Sequence, residues 1–114
     1  MRLVFATDLH GDAAAYEAVG TFALEARVDA LVLGGDLCAY ATRAAPQLAF
    51  VDARLIPFLA RLRGGGVPVL LTYGNVDRPA VVERLRSLEN EGLVHVLDSR
   101  PYELMPEDMR WSRW

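Results

Sequence analysis

Three short apolar runs, residues 3–6, 30–33 and 67–72, each break into a glycine-containing polar loop, and each is followed by a helix-length segment. Uncharged runs of this length, rich in Val and Leu, have the character of strands buried on both faces. Strands separated by helices cannot close as hairpins. They form βαβ units with a parallel sheet and right-handed crossovers. A fourth run, residues 94–97, extends the pattern, so the expected order is βαβαβαβ in one α/β domain over residues 1–114. The stretch 105–114 reads as neither an alternating strand nor a regular helix and is set apart as an atypical tail.

The helical segments carry apolar stripes at helical spacing. The first, about residues 12–27, places Ala15, Val19, Phe22, Ala23 and Ala26 on one face, with Asp12 as its cap. The second begins near Pro46 and presents Leu48, Val51, Leu55, Leu59 and Leu62, with a kink expected at Pro57 and a stop at Gly64, Gly65 and Gly66. The third is opened by Pro79, faces inward through Val82, Leu85 and Leu88, and ends near Gly92. Three helices do not suffice to cover both faces of a sheet whose strands are apolar on both sides. One face is therefore expected to present an apolar patch, and copies of the chain are expected to associate as a homo-oligomer that covers it.

Composition narrows the functions. With 114 residues, 53% of them hydrophobic and 24% charged, the chain has the makings of one modest core. A net charge of -3 and the lack of any Lys/Arg run leave no extended surface for nucleic acid. No apolar run approaches the roughly 18 residues of a membrane span, and the N-terminus has no cleavage-site pattern. Cys38 is the single cysteine, which rules out an internal disulfide and favours a cytoplasmic setting. All 12 basic residues are arginine. Without lysine there is neither a Walker-type phosphate loop nor Schiff-base chemistry.

The polar loops carry the chemistry. Asp8 and His10 follow the first strand, Asp36 the second, and Asn75 and Asp77 the third. In a parallel sheet the loops at the C-terminal strand ends share one edge, where ligands bind. Gly11, Gly34, Gly35 and Gly74 flank these residues and allow close backbone approach. Carboxylates with an imidazole suit a borderline or hard divalent cation. A carboxylate on the middle loop is able to bridge two cations, with Asp8 and His10 on one and Asn75 on the other. Two cations about 3.5–4 Å apart polarise a phosphoryl group and lower the pKa of bound water. The competing account is that strand-end Asp and Asn are turn and helix-cap residues. It serves for one loop better than for three.

Asp8-Leu9-His10-Gly11, Gly35-Asp36 and Gly74-Asn75-Val76-Asp77, in this order, resemble the first three motifs of the calcineurin-like metallophosphoesterases. The resemblance covers about the first 100 residues. It implies the N-terminal portion of an αββα sandwich, and hydrolysis of phosphate mono- or diesters by a hydroxide held between two divalent ions of the Mn, Fe, Zn or Ni type. Asp8, His10 and Asp36 would ligate the first ion. Asp36 would bridge to the second, which Asn75 would also bind, and Asp77 would be the catalytic carboxylate, in an orienting role. The expected partner is a small-molecule or nucleotide-type phosphoester.

The chain departs from the family pattern in two places. Val76 stands where many members have a histidine that protonates the leaving group; a branch of bacterial and archaeal members, often phosphodiesterase-like, also lacks it. After Asp77 the only histidine is His95, inside an apolar strand and without a Gly-His pair. The family's later histidines are thus missing, so the expectation is a truncated domain with an incomplete second metal site, and a catalytically inactive metal- or partner-binding remnant is the alternative function. His95 reads as a partly buried strand residue and Cys38 as a packed side chain. Arg78 reads as a surface residue paired with Glu83 more readily than as a substrate phosphate ligand. Tyr40 and Tyr73 suit a pocket wall or ordinary packing, and Trp111 and Trp114 a partner or an exposed sheet face.

Overall fold

The computed structural model describes residues 1–97 and the backbone of strands Tyr102–Met105 and Arg110–Arg113. The chain runs β1 (Leu3–Thr7), α1 (Ala13–Glu25), β2 (Ala30–Gly34), α2 (Ala44–Phe50), a π turn (Val51–Leu55), α3 (Ile56–Gly64), β3 (Val69–Thr72), α4 (Pro79–Asn90) and β4 (His95–Val96). The sheet is parallel, in the order β1-β2-β3-β4. Strands β5 (Tyr102–Met105) and β6 (Arg110–Arg113) pair antiparallel in a sheet of their own, so the stretch 105–114, read from the sequence as neither strand nor helix, contains a strand. The roles considered for Trp111 and Trp114 lie outside the described side chains. Among the described residues no helix is long and apolar enough to cross a membrane.

A parallel sheet whose strands follow chain order, joined by right-handed crossovers, receives all its helices on one face. The burial pattern agrees. Leu31, Leu33, Val69, Leu71 and Val96 alternate onto the helix side and are buried. Truncating one of them, for example Leu71→Ala, costs about 2–5 kcal/mol. The helices form a single layer in which α1 packs on α3 and α2 on α4. The Tyr16 ring of α1 sits 5.2 Å from Phe58 and 5.5 Å from Phe50, centroid to centroid. On the opposite face, the edge strand β1 leaves Leu3 58% and Phe5 68% exposed. The Phe5 ring lies over Gly34, where an added Cβ would come within 2.8 Å of it.

In the helices, three details differ from the sequence reading. In α1 the buried row is Tyr16, Gly20 and Ala23, and Phe22 is exposed. The bulk of Tyr16, whose hydroxyl donates to the Leu37 carbonyl at 2.8 Å, turns the helix about one position from the alanine stripe, and Gly20 makes room for Phe58. Helix α4 buries Val81 with Leu85 and Leu88, leaving Val82 half-buried. The second helical segment is one continuous rod with a widened turn where a Pro57 kink was expected. The Ile56 N–H reaches the Val51 carbonyl five residues back. Placed just before Pro57, this turn relieves the crowding that a proline ring imposes on the carbonyl four residues earlier.

The exposed Leu3 and Phe5 make a direct prediction. An environment-sensitive apolar dye binds the chain, and Phe5→Ser lowers its fluorescence several-fold at unchanged helix content. Equal fluorescence in wild type and variant would place the apolar surface elsewhere.

Candidate metal centre

The C-terminal ends of β1, β2 and β3 meet at one edge of the sheet, and hydrogen bonds between their loops hold them there. Asp8 N–H donates to the Gly34 carbonyl at 3.3 Å, His10 N–H to Asp36 O at 2.9 Å and Gly11 N–H to Leu37 O at 2.9 Å. The Thr7 hydroxyl lies against the Gly34 carbonyl and 3.0 Å from Asp8 Oδ2. The third loop joins through Gly35 N–H, which reaches both the carbonyl and the hydroxyl of Thr72 at 3.1 Å.

This lacing bends the backbone into conformations that side chains rarely adopt. The non-glycine residues with positive φ among those described are Asp8 (57°), His10 (50°), Arg27 (51°) and Asp36 (46°). Such a residue costs of order 1–3 kcal/mol, and strain of this kind gathers at functional sites. Three of these four residues are the expected ligands of the first metal. They are also brought together: one ligand atom each from Asp8, His10 and Asp36 lies within 4.8 Å of the others. Ligands on a tetrahedral ion at bonds of about 2.1 Å stand about 3.4 Å apart, so small side-chain rotations close the set. Asp8 and His10 are exposed and Asp36 is half-buried, which leaves the remaining coordination positions open to water or substrate. Two carboxylates and an imidazole fit a borderline divalent cation.

The third loop is seated on Asp36. Val76 N–H donates to Asp36 Oδ1 at 3.3 Å. Gly74 packs so closely that a Cβ there would overlap the Asp36 carboxylate and backbone nitrogen. Asn75 sits between these two contacts, exposed, at the same strand end. Asp77 is 6% exposed, and its carboxylate accepts from the backbone N–H groups of Leu37 (3.0 Å), Cys38 (2.9 Å) and Gly74 (2.9 Å). It therefore ties the second loop to the third. Arg78 is exposed; its N–H caps onto Gln47 Oε1 at 2.9 Å. Among the described residues it forms no ion pair with Glu83; salt bridges there include Arg61 with Glu17 and Arg84 with Asp52.

Gln47 carries no signal in the sequence, being one polar residue in an apolar helix, yet it is 2% exposed and bonded to two of these loops. His95 lies in β4, away from the ligand group, half-buried, with its basicity lowered by desolvation and partly restored by Glu89. Cys38 is fully buried, and burial, with the Asp77 charge beside it, pushes its thiol pKa up to about 12. Burial first, then Cys38 and Asp77, likewise hold the Tyr16 phenol protonated. Tyr40 is exposed and borders a hollow of about 90 Å³ between Gly11, Ala39, Pro46 and Phe50, next to His10 in the chain. Tyr73 is half-buried, and its hydroxyl accepts from Arg86 at 3.5 Å.

Two outcomes follow. Gly74→Ala forces Asp36 aside and lowers Tm by about 5 °C or more in a thermal melt, and an unchanged Tm would mean the third loop is not seated there. Cys38 stays a protonated thiol near neutral pH, so a thiol reagent at pH 8 leaves the native chain unmodified and labels it only in denaturant.

No curated protein matches the chain. A family model, calcineurin-like phosphoesterase, matches residues 1–111 and so takes in all three strand-end loops that carry the candidate ligands. With its parallel α/β sheet and its Asp8–His10–Asp36 group at one edge, the chain belongs to the calcineurin-like phosphoesterase family.

Proposed function

We propose that the chain is a metal-dependent phosphoesterase acting on small-molecule phosphate mono- or diesters. The convergence of Asp8, His10 and Asp36 at the edge of the sheet carries this reading. Asp8, His10 and Asp36 would hold one divalent cation, and Asp36 with Asn75 would reach a second. When bound, such ions supply Lewis acidity toward a phosphoryl oxygen and lower the pKa of water. The exposure of Asp8 and His10 leaves room for a phosphate to approach from solvent. Arg78, at the N-terminus of α4, is the nearest arginine in sequence to Asn75 and would pair with a phosphate oxygen. Val76 has no proton to give, so leaving groups that need none, such as aryloxides, are the favoured substrates.

A second reading, a metal-binding module without turnover, is favoured by that same Val76 and by the single complete ligand group found among the described residues. Metal binding and turnover separate the two. Calorimetry with Mn²⁺ is expected to show weak binding by the wild-type chain and none by Asp36→Ala. Hydrolysis of an aryl phosphodiester is expected to be slow, Mn²⁺-dependent and at least tenfold lower in Asp36→Ala. Equal Mn²⁺ binding by both proteins overturns the site. Binding without any turnover selects the second reading.

A further inference from the structure

We propose that Gln47 is a positioning residue of the metal centre, holding the Asp36 and Asn75 loops at the spacing a cation requires. The inference rests on the metal-binding part of the function proposed above. Gln47 and Asp77 are the two buried polar side chains among the described residues, and both join the second loop to the third. The Gln47 amide nitrogen donates to the Ala39 carbonyl at 2.9 Å and to the Val76 carbonyl at 2.7 Å, while its oxygen accepts from Arg78 N–H at 2.9 Å. Its two donors face two carbonyls and its acceptor faces an N–H, so a flipped amide would set oxygen against oxygen. The orientation is thus determined by the contacts.

Each contact leads toward the ligands. Val76 presents its carbonyl to Gln47 and its N–H to Asp36 Oδ1 at 3.3 Å, so one residue passes the position of α2 to the bridging carboxylate. Asn75 immediately precedes it. With Arg78 N–H also held, the turn that carries Asn75 is fixed on its C-terminal side by the same side chain. Ala39, the remaining contact, packs on Gly11, where an added Cβ would come within 2.9 Å of the Ala39 nitrogen. Gly11 follows His10. The carboxamide therefore bonds the loops of Asp36 and of Asn75 directly and reaches the loop of Asp8 and His10 through Ala39, and it hydrogen-bonds none of the candidate ligands. Groups that orient a metal's ligands in this way typically weaken binding 10–100-fold when removed.

The test compares wild type, Gln47→Leu, Gln47→Glu and Leu48→Ala by Mn²⁺ calorimetry and by the visible spectrum of bound Co²⁺, which reports coordination geometry. Leu48 is half-buried on the same helix and bonds no loop through its side chain, so its truncation lowers stability without touching the network. Gln47→Leu is expected to remain folded by circular dichroism, bind Mn²⁺ 10–100-fold more weakly and shift the Co²⁺ spectrum. Leu48→Ala is expected to melt lower with affinity and spectrum unchanged. In Gln47→Glu a protonated carboxyl still donates to one carbonyl and accepts from Arg78 N–H, whereas the carboxylate repels both carbonyls. Its affinity relative to wild type is therefore expected to fall as pH rises. Should Gln47→Leu fail to fold, this pH trend carries the test. Wild-type affinity and spectrum in both Gln47 variants, or equal losses in Gln47→Leu and Leu48→Ala, overturn the positioning role while leaving the metal site intact. No binding by the wild-type chain overturns the metal reading, and the inference with it.

Discussion

The buried carboxylate of Asp77 is the interaction on which the functional edge depends. Taking a carboxylate out of water is costly unless donors replace the water it loses. Here the replacements are the backbone N–H groups of Leu37, Cys38 and Gly74. Two loops from different strands are consequently fastened to one charge, and neither shifts without stripping it of donors. The same charge, added to burial, disfavours ionisation of Cys38 and Tyr16, so the interior behind the candidate ligands has one anion and two groups held neutral. Removing Asp77 would strip three of the contacts that hold the loops together and leave those made by Gln47 and Asp36.

Sheet order explains both the site and the exposed surface. Strands in sequence order, all parallel, place every C-terminal end at one edge and every helix on one face. The first consequence gathers Asp8, His10 and Asp36. The second leaves Leu3 and Phe5 of the edge strand uncovered, although these residues are as apolar as their buried neighbours. Site and patch are two results of one topology. The patch lies on β1, which ends at Thr7, one residue before Asp8.

Much of this was legible in the residues. Strand type and order follow from short apolar runs, and the ligand group follows from Asp8-x-His10 and Gly35-Asp36 at strand ends, since a parallel sheet sends those ends to one place. The helix faces were less legible. Tyr16 competes with a row of alanines, and which row turns inward depends on the Phe50 and Phe58 rings contributed by a later segment. Pro57 signals a disturbance, but whether a rod kinks or widens by one residue depends on packing along its whole length. Gln47 was not legible at all. Its three bonds go to backbone atoms of Ala39, Val76 and Arg78, and any sequence supplies such atoms. The left-handed backbone at Asp8, His10 and Asp36 is likewise a property of how the loops interlock, and no spacing announces it.

The central claim is that the loops after β1 and β2 bring Asp8, His10 and Asp36 together on one cation, with the Asn75 loop beside it. It is tested most directly by titrating paramagnetic Mn²⁺ into isotope-labelled protein and following amide resonances. The account predicts that substoichiometric Mn²⁺ broadens Asp8, Leu9, His10, Asp36, Asn75 and Val76 first and leaves the exposed acids Asp52 and Glu83 sharp. Broadening that begins at those surface acids, or spreads evenly over the chain, would contradict it.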